Sequence, residues 1–304
     1  MGGWSYGKKP AGHYFREWGV SFLFVVPALL IFGIFYVYPF IDILKLSFQS
    51  WDGIGPRHWV LFENYRDLIG NREWWRSVWN AGFITFVALT FQNAFAFALA
   101  LACDREIRLK GFYRVIFFLP PILSEIVVGL LWRLLLAPAE QGGVLNAFLS
   151  KLGLYHLVND WLSDPETALS CIAIVHSWKG FGWGFILLLV GLQTIDRQYY
   201  EAALVDGAGV WQRFVNVTLP MMVPVIAVVM ILTILGSMQS FVLVLSMTPG
   251  ELGGYTDVPV LQILTSMTDF KEFGTACAMG VIFAGILITL SVFFKMMSNR
   301  MKQL

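Results

Sequence analysis

Charge is scarce in this chain. Of 304 residues only 13% are Asp, Glu, Lys or Arg, while 57% are hydrophobic, and the mean hydropathy is +0.67, well outside the range of an ordinary soluble domain. With a net charge of +1, the cationic residues form no dense stripe able to neutralise a row of phosphates, which excludes nucleic acid as a partner. Cysteine is scarcer still. Cys103, Cys171 and Cys277 are scattered, odd in number and set in or beside apolar runs, so neither a disulfide framework nor a metal site follows. Of the four histidines only His176 falls inside an apolar run, where a hydrogen-bonded helix contact is a commoner role than a ligand or proton relay. The clustered nucleophile, base or metal-ligand set that a membrane-embedded enzyme needs is missing.

What is present in quantity is long apolar sequence. A bilayer core takes about 20 apolar residues per helix, and six segments reach that length, at 20–40, 79–102, 113–137, 168–192, 221–246 and 273–296. The expectation is an all-α, polytopic membrane bundle of six transmembrane helices. Its parts are a cytoplasmic tail at 1–19, one membrane domain at 20–297 and a short cytoplasmic tail at 298–304. The first run is too long for a cleavable signal core and is expected to remain as an anchor. Cytoplasmic loops retain Lys and Arg. With both ends inside, the cytoplasmic set is Lys8, Lys9, Arg16, Arg105, Arg108, Lys110, Arg114, Arg197, Arg213, Lys295, Arg300 and Lys302, against seven outside, so that orientation is preferred. Small residues four apart, at Ala94, Ala98 and Ala102 and at Gly180 and Gly184, are expected to form packing faces.

One cytoplasmic stretch is unlike a plain connector. Within the loop 194–220, residues 199–220 read Y-Y-E-A-A-L-V-D-G-A-G-V-W-Q-R-F-V-N-V-T-L-P. Glu201 to Val205 favour helix, Gly207 and Gly209 permit a hinge, and Val210 to Val217 resume helix. Ala202 and Ala203 would let a short helix lie close in a partner's groove, with Glu201 offering a carboxylate there. Glu201, Ala202, Ala203, Asp206, Gly207, Ala208, Phe214, Leu219 and Pro220 together resemble the E-A-A motif of binding-protein-dependent ABC importer permeases, in particular the carbohydrate-uptake group similar to maltose and glycerol-phosphate permeases. Supporting matches are R-x-x-F-F-L-P from Arg114 to Pro120, G-V-L-N from Gly143 to Asn146 and G-L-Q-T-I-D from Gly191 to Asp196; the outer loop 246–256 departs from the family's compact pattern.

The resemblance implies an importer subunit of the bacterial inner membrane that moves a sugar or oligosaccharide, whether neutral, anionic or phosphorylated, by alternating access. It implies a cytoplasmic ATPase dimer docked on the E-A-A loop, a second permease subunit, homologous and distinct, and an extracytoplasmic solute-binding protein. ATP and Mg²⁺ would belong to the ATPase, with no cofactor and no catalysis on this chain. Gly2 to Lys8 spells G-x-x-x-x-G-K, but Lys9 stands where a phosphate-binding loop has Ser or Thr, so it is taken as a chance match. The competing class is an ion-coupled secondary transporter, which places carboxylates at the midplane; only Glu125 qualifies, and the E-A-A loop would go unexplained.

Polar groups within spans are costly and face a cavity or a partner. Glu125, about 11 residues or roughly 16 Å of helix beyond Arg114, and Lys179 are expected at similar depth. They either neutralise one another across adjacent helices or leave Lys179 lining a solute path with Trp178, Phe181 and Trp183. Aromatic faces suit the C–H faces of sugars, with Gln239, Ser237 and Ser240 as hydroxyl partners; equally, an aromatic-rich span packs against lipid. Trp132 is a further candidate for the path.

Overall fold

The computed structural model describes residues 11–105, 108–248 and 254–301. The match at Gly2–Lys9, the outer-loop residues 249–253 and the last three residues of the chain lie outside these.

Helix α1 (Ala11–Phe32) passes through a π-helical turn (Gly33–Val37) into α2 (Tyr38–Leu46). Since α1 begins at Ala11, part of the stretch expected as a tail at 1–19 is helical, while the apolar span itself runs over Phe22–Leu46. A connecting segment follows, with a ribbon of β1 (Gln49–Ser50) and β2 (His58–Trp59), antiparallel with Gln49 opposite Trp59, and then α3 (Glu63–Gly70). Helix α4 (Arg72–Val87), a π turn (Ala88–Gln92) and α5 (Asn93–Asp104) form one continuous span. Next come α6 (Lys110–Ile122), α7 (Glu125–Leu135) and the short helix α8 (Val144–Lys151). The fourth span is α9 (Pro165–Gln193). Helix α10 (Arg197–Val205) precedes α11 (Val210–Arg213), which runs through a π turn (Phe214–Thr218) into α12 (Leu219–Met238). Short α13 (Val242–Met247) and α14 (Pro259–Thr268) lead to the last span, α15 (Phe273–Met301).

Among the described residues five helical segments are long and apolar enough to cross a bilayer, and there are six when the bent pair α6–α7 is counted as one broken span. The expected span at 113–137 is therefore not a straight helix. It breaks at Leu123 and Ser124, both extended, and the axis turns by 93°. Pro120 and Pro121 stand in the last turn before this break, where neither has an N–H to give the helix ladder. The fifth span also differs from expectation. It starts at Val210, so the second half of the E-A-A segment is its first turns, and it stops at Met238 before a break at Gln239–Phe241.

Helix α9 is the most buried span and packs against α4, α5, α6 and α12, whereas none of the first span's apolar window is buried against the rest of the chain. The first span is tied to the last near its C-terminal end, at Asp42. Arg57 donates to both carboxylate oxygens of Asp42 at 2.8 and 3.1 Å and lies over Trp51, which stacks obliquely on Phe273 and accepts a backbone hydrogen bond from it. Asn146, the last residue of G-V-L-N, is fully buried. Its amide donates to the carbonyls of Ala137 and Asn159 and accepts from the Trp161 indole at 2.8 Å, latching α8 onto the loop that leads to α9.

The expected packing faces shift in detail. Ala94, Ala98 and Ala102 face outward, and Ala96, Ala100 and Cys103 form the buried stripe against α9. The alternation A-F-A-F-A-L-A-L-A offers two sets of alanines four apart, and the π turn at Ala88–Gln92 sets the phase that buries the second. On α9 a Cβ at Gly184 would have ordinary room, 3.4 Å from Ala96 Cβ. At Gly182 it would collide with the Phe117 carbonyl and lie 2.7 Å from Pro121 Cγ, so α6 packs directly on the α9 backbone at Gly182.

Candidate functional site

Two places carry the polar chemistry of the bundle. The first is a cavity of about 280 Å³ lined by residues of α7, α9, α12 and the π turn of the second span. Glu125 opens α7, where the positive end of the helix dipole favours a carboxylate. The break after the proline pair thus delivers Glu125 as the first residue of a new helix, not as a mid-helix residue above Arg114. Lys179 of α9 faces it, with Nζ 3.7 Å from Glu125 Oε1. The pair expected from the sequence is formed, and it lines the cavity.

Of the other path candidates, Trp183 also lines the cavity and meets Phe118 edge to face at 5.2 Å. Trp178 and Trp132 pack on each other edge to face at 5.6 Å, outside the lining. Phe181 is a core residue, buried against Phe95 and Phe117. Gln239 is exposed at the break after α12, and Ser240 is buried with its hydroxyl 3.1 Å from His176 Nδ1. Ser237 lines the cavity, but its hydroxyl is engaged with Thr85 Oγ1 at 2.8 Å and with the Thr233 carbonyl. Gln92, Thr233 and His176 line the cavity and were absent from the sequence-derived set. The signal for Gln92 in the sequence is an uncharged polar interruption of the second span.

The second place is the E-A-A segment. Asp196 caps α10 by accepting from the Gln198 amide, and Tyr200 bonds Thr218 at 3.0 Å, fixing α10 to the base of the fifth span. Gly207 has φ +77°, a left-handed conformation that a side chain disfavours. Glu201, Ala202, Asp206 and Gly207 are exposed, and Ala203 and Ala208 are half-buried. No residue of α10 is buried, and Leu204, Val205, Val210 and Trp211 all present apolar surface.

A family of binding-protein-dependent transport system inner membrane components matches residues 94–303, from the second span through the cavity and the E-A-A segment to the last helix. The chain belongs to this family. The permease is 30% identical to a probable ABC transporter permease of Pyrococcus horikoshii, over 88% of this chain and 92% of that one. It is also similar to the trehalose/maltose transport system permease protein MalF of Thermococcus litoralis, at 26% identity over 92% and 94% of the two chains. Its fold matches a chain of the crystal structure of a bacterial ABC transporter that imports the acidic polysaccharide alginate, with a TM-score of 0.81, 26% identity, and coverage of 95% and 98%. The permease is thus a multi-pass membrane subunit of a binding-protein-dependent ABC importer.

Proposed function

We propose that this permease carries a saccharide inward by alternating access, with the Glu125–Lys179 cavity on its path and α10 as the element through which a cytoplasmic ATPase dimer drives it. The observation that carries the coupling role is the state of α10. It is anchored at Tyr200, hinged at Gly207, and leaves Leu204 and Val205 exposed beside Glu201, a surface suited to a protein groove. Ala202, Ala203, Asp206 and Ala208 complete the docking segment. A saccharide fits relatives named for carbohydrate transport, among them an arabinooligosaccharide permease of Bacillus subtilis, and the alginate importer.

On this proposal the subunit itself hydrolyses nothing; ATP and Mg²⁺ are held by the ATPase, and both ends of the chain face the cytoplasm of a bacterial inner membrane. A second, homologous permease completes the path, and the bare apolar face of the first span meets that subunit or lipid. An extracytoplasmic binding protein delivers solute to the outer segments. An alginate transporter has been seen with a solute-loaded periplasmic protein, which supports such a partner here. The test is uptake by proteoliposomes holding the assembled importer. The proposal expects dependence on ATP on the ATPase side and indifference to ionophores; collapse of uptake with the ion gradient would support the ion-coupled alternative.

A further inference from the structure

We infer that Gln92 is a solute-binding residue and that the cavity selects uncharged, polyhydroxylated solutes over anionic ones; this rests on the path proposed above. Gln92 ends the π turn in the second span, a local geometry frequent at functional sites. Only 7% of the residue is exposed, and its Oε1 is buried without a hydrogen-bond partner among the described residues. The amide lies flat on Gly180: a Cβ built there would be 2.5 Å from Oε1, 2.8 Å from Cδ and 2.9 Å from Nε2. Gly180 and Gln92 both line the cavity with Lys179 and Glu125, so the lack of a side chain at 180 is what lets the amide lie against α9 at the cavity wall.

A buried acceptor without a donor is disfavoured, and such groups in native proteins have a partner or a use. The cavity is large and polar enough to hold water that serves Gln92 while the site is empty. A solute hydroxyl supplies the same donor when the site is filled. Hydroxyls both donate and accept, and the wall offers both kinds of group: Gln92 Oε1 and Glu125 accept, while Lys179 donates.

Charge decides between solutes. Lys179 is the one Lys or Arg among the described residues lining the cavity, and Glu125 lies 3.7 Å from it. An anionic sugar gains no free cation there and meets the Glu125 carboxylate. A neutral sugar requires neither group to give up the other.

The experiment measures uptake by the reconstituted importer with two sets of probes matched in size: maltotriose and arabinotriose, and trigalacturonate and an alginate trisaccharide. Variants are Gln92→Met, similar in shape without the amide, and the double variant Lys179→Met with Glu125→Gln. The wild type is expected to take up a neutral probe at least tenfold faster than either acidic one. Gln92→Met is expected to raise the half-saturating solute concentration at least tenfold without lowering the melting temperature of the assembly, whereas a purely structural role would lower that temperature and leave half-saturation alone. Wild-type half-saturation in Gln92→Met, with uptake impaired in the double variant, overturns the inference and leaves the path standing. Unimpaired uptake in both overturns the path too. Preference for the acidic probes overturns the selectivity, and uptake of none of the four overturns it together with the saccharide proposal.

Discussion

Replacing Gly182 by Ala is expected to destabilise the bundle, while the same change two residues along, at Gly184, is expected to be tolerated. Both glycines lie on α9, and both variants gain roughly 1 kcal/mol of helix propensity. At Gly184 the new methyl meets Ala96 Cβ and Val229 Cγ1 at 3.4 Å, close contact but not collision. At Gly182 it meets the Phe117 carbonyl, with Pro121 Cγ at 2.7 Å and Cδ at 2.9 Å. A backbone carbonyl and a proline ring cannot rotate away, so α6 must move off α9, and overpacking of this kind costs about 1–3 kcal/mol. The two variants should therefore differ by about 1–3 kcal/mol, Gly182→Ala being the weaker, since the propensity gain is common to both. Because α6 leads through the 93° bend to Glu125, the displacement should also loosen the Glu125–Lys179 pair and slow uptake. Thermal unfolding of the two variants in the same detergent reads the difference directly. Equal melting temperatures, or a more stable Gly182→Ala, would refute the idea that the two helices are set at van der Waals contact through that glycine.

Other expectations concern the two ends of the molecule. Gly207→Val places a β-branched residue at φ +77° and should distort the turn between α10 and α11, lowering uptake per ATP hydrolysed while the protein still inserts and melts near the wild-type temperature. In the loop before α14, burial pushes the Asp257 carboxyl above its ordinary value, against the opposing hydrogen bond from Gln262 and the charge of Arg76. A carboxyl raised in the folded state contributes stability that is present at low pH and lost as pH rises through its folded pKa. Asp257→Asn, which can still accept from Gln262, should then gain stability relative to wild type as pH increases above about 4; parallel melting curves across pH would contradict this.

The six spans were legible because their signal is additive: each is a long window of apolar residues, and no tertiary contact is needed to recognise it. The E-A-A segment was legible because its small residues and paired glycines are local features, and Gly207 takes the left-handed conformation its position suggested. What the sequence hid depends on phase and direction. The bend at Leu123–Ser124 was signalled by Pro120–Pro121, yet hydropathy runs through it unbroken, and Glu125 was consequently placed within a straight helix. The buried alanine stripe was ambiguous by one residue until the π turn fixed it. Phe181 and Trp183 lie two residues apart on α9 and so on different faces, one in the core and one at the cavity; an aromatic count cannot separate them. The Lys179–Glu125 pair was within reach, since two opposite charges deep in neighbouring spans have few alternatives to each other.

Cross-linking from α10 tests the central mechanical claim most directly. With a single cysteine at Ala202 and the native cysteines replaced, the assembled importer treated with a short bifunctional reagent should yield a covalent adduct between this permease and the ATPase, and its yield should change when ATP and vanadate trap the closed state. An adduct formed only with an extracytoplasmic protein, or none despite full assembly, would contradict the account.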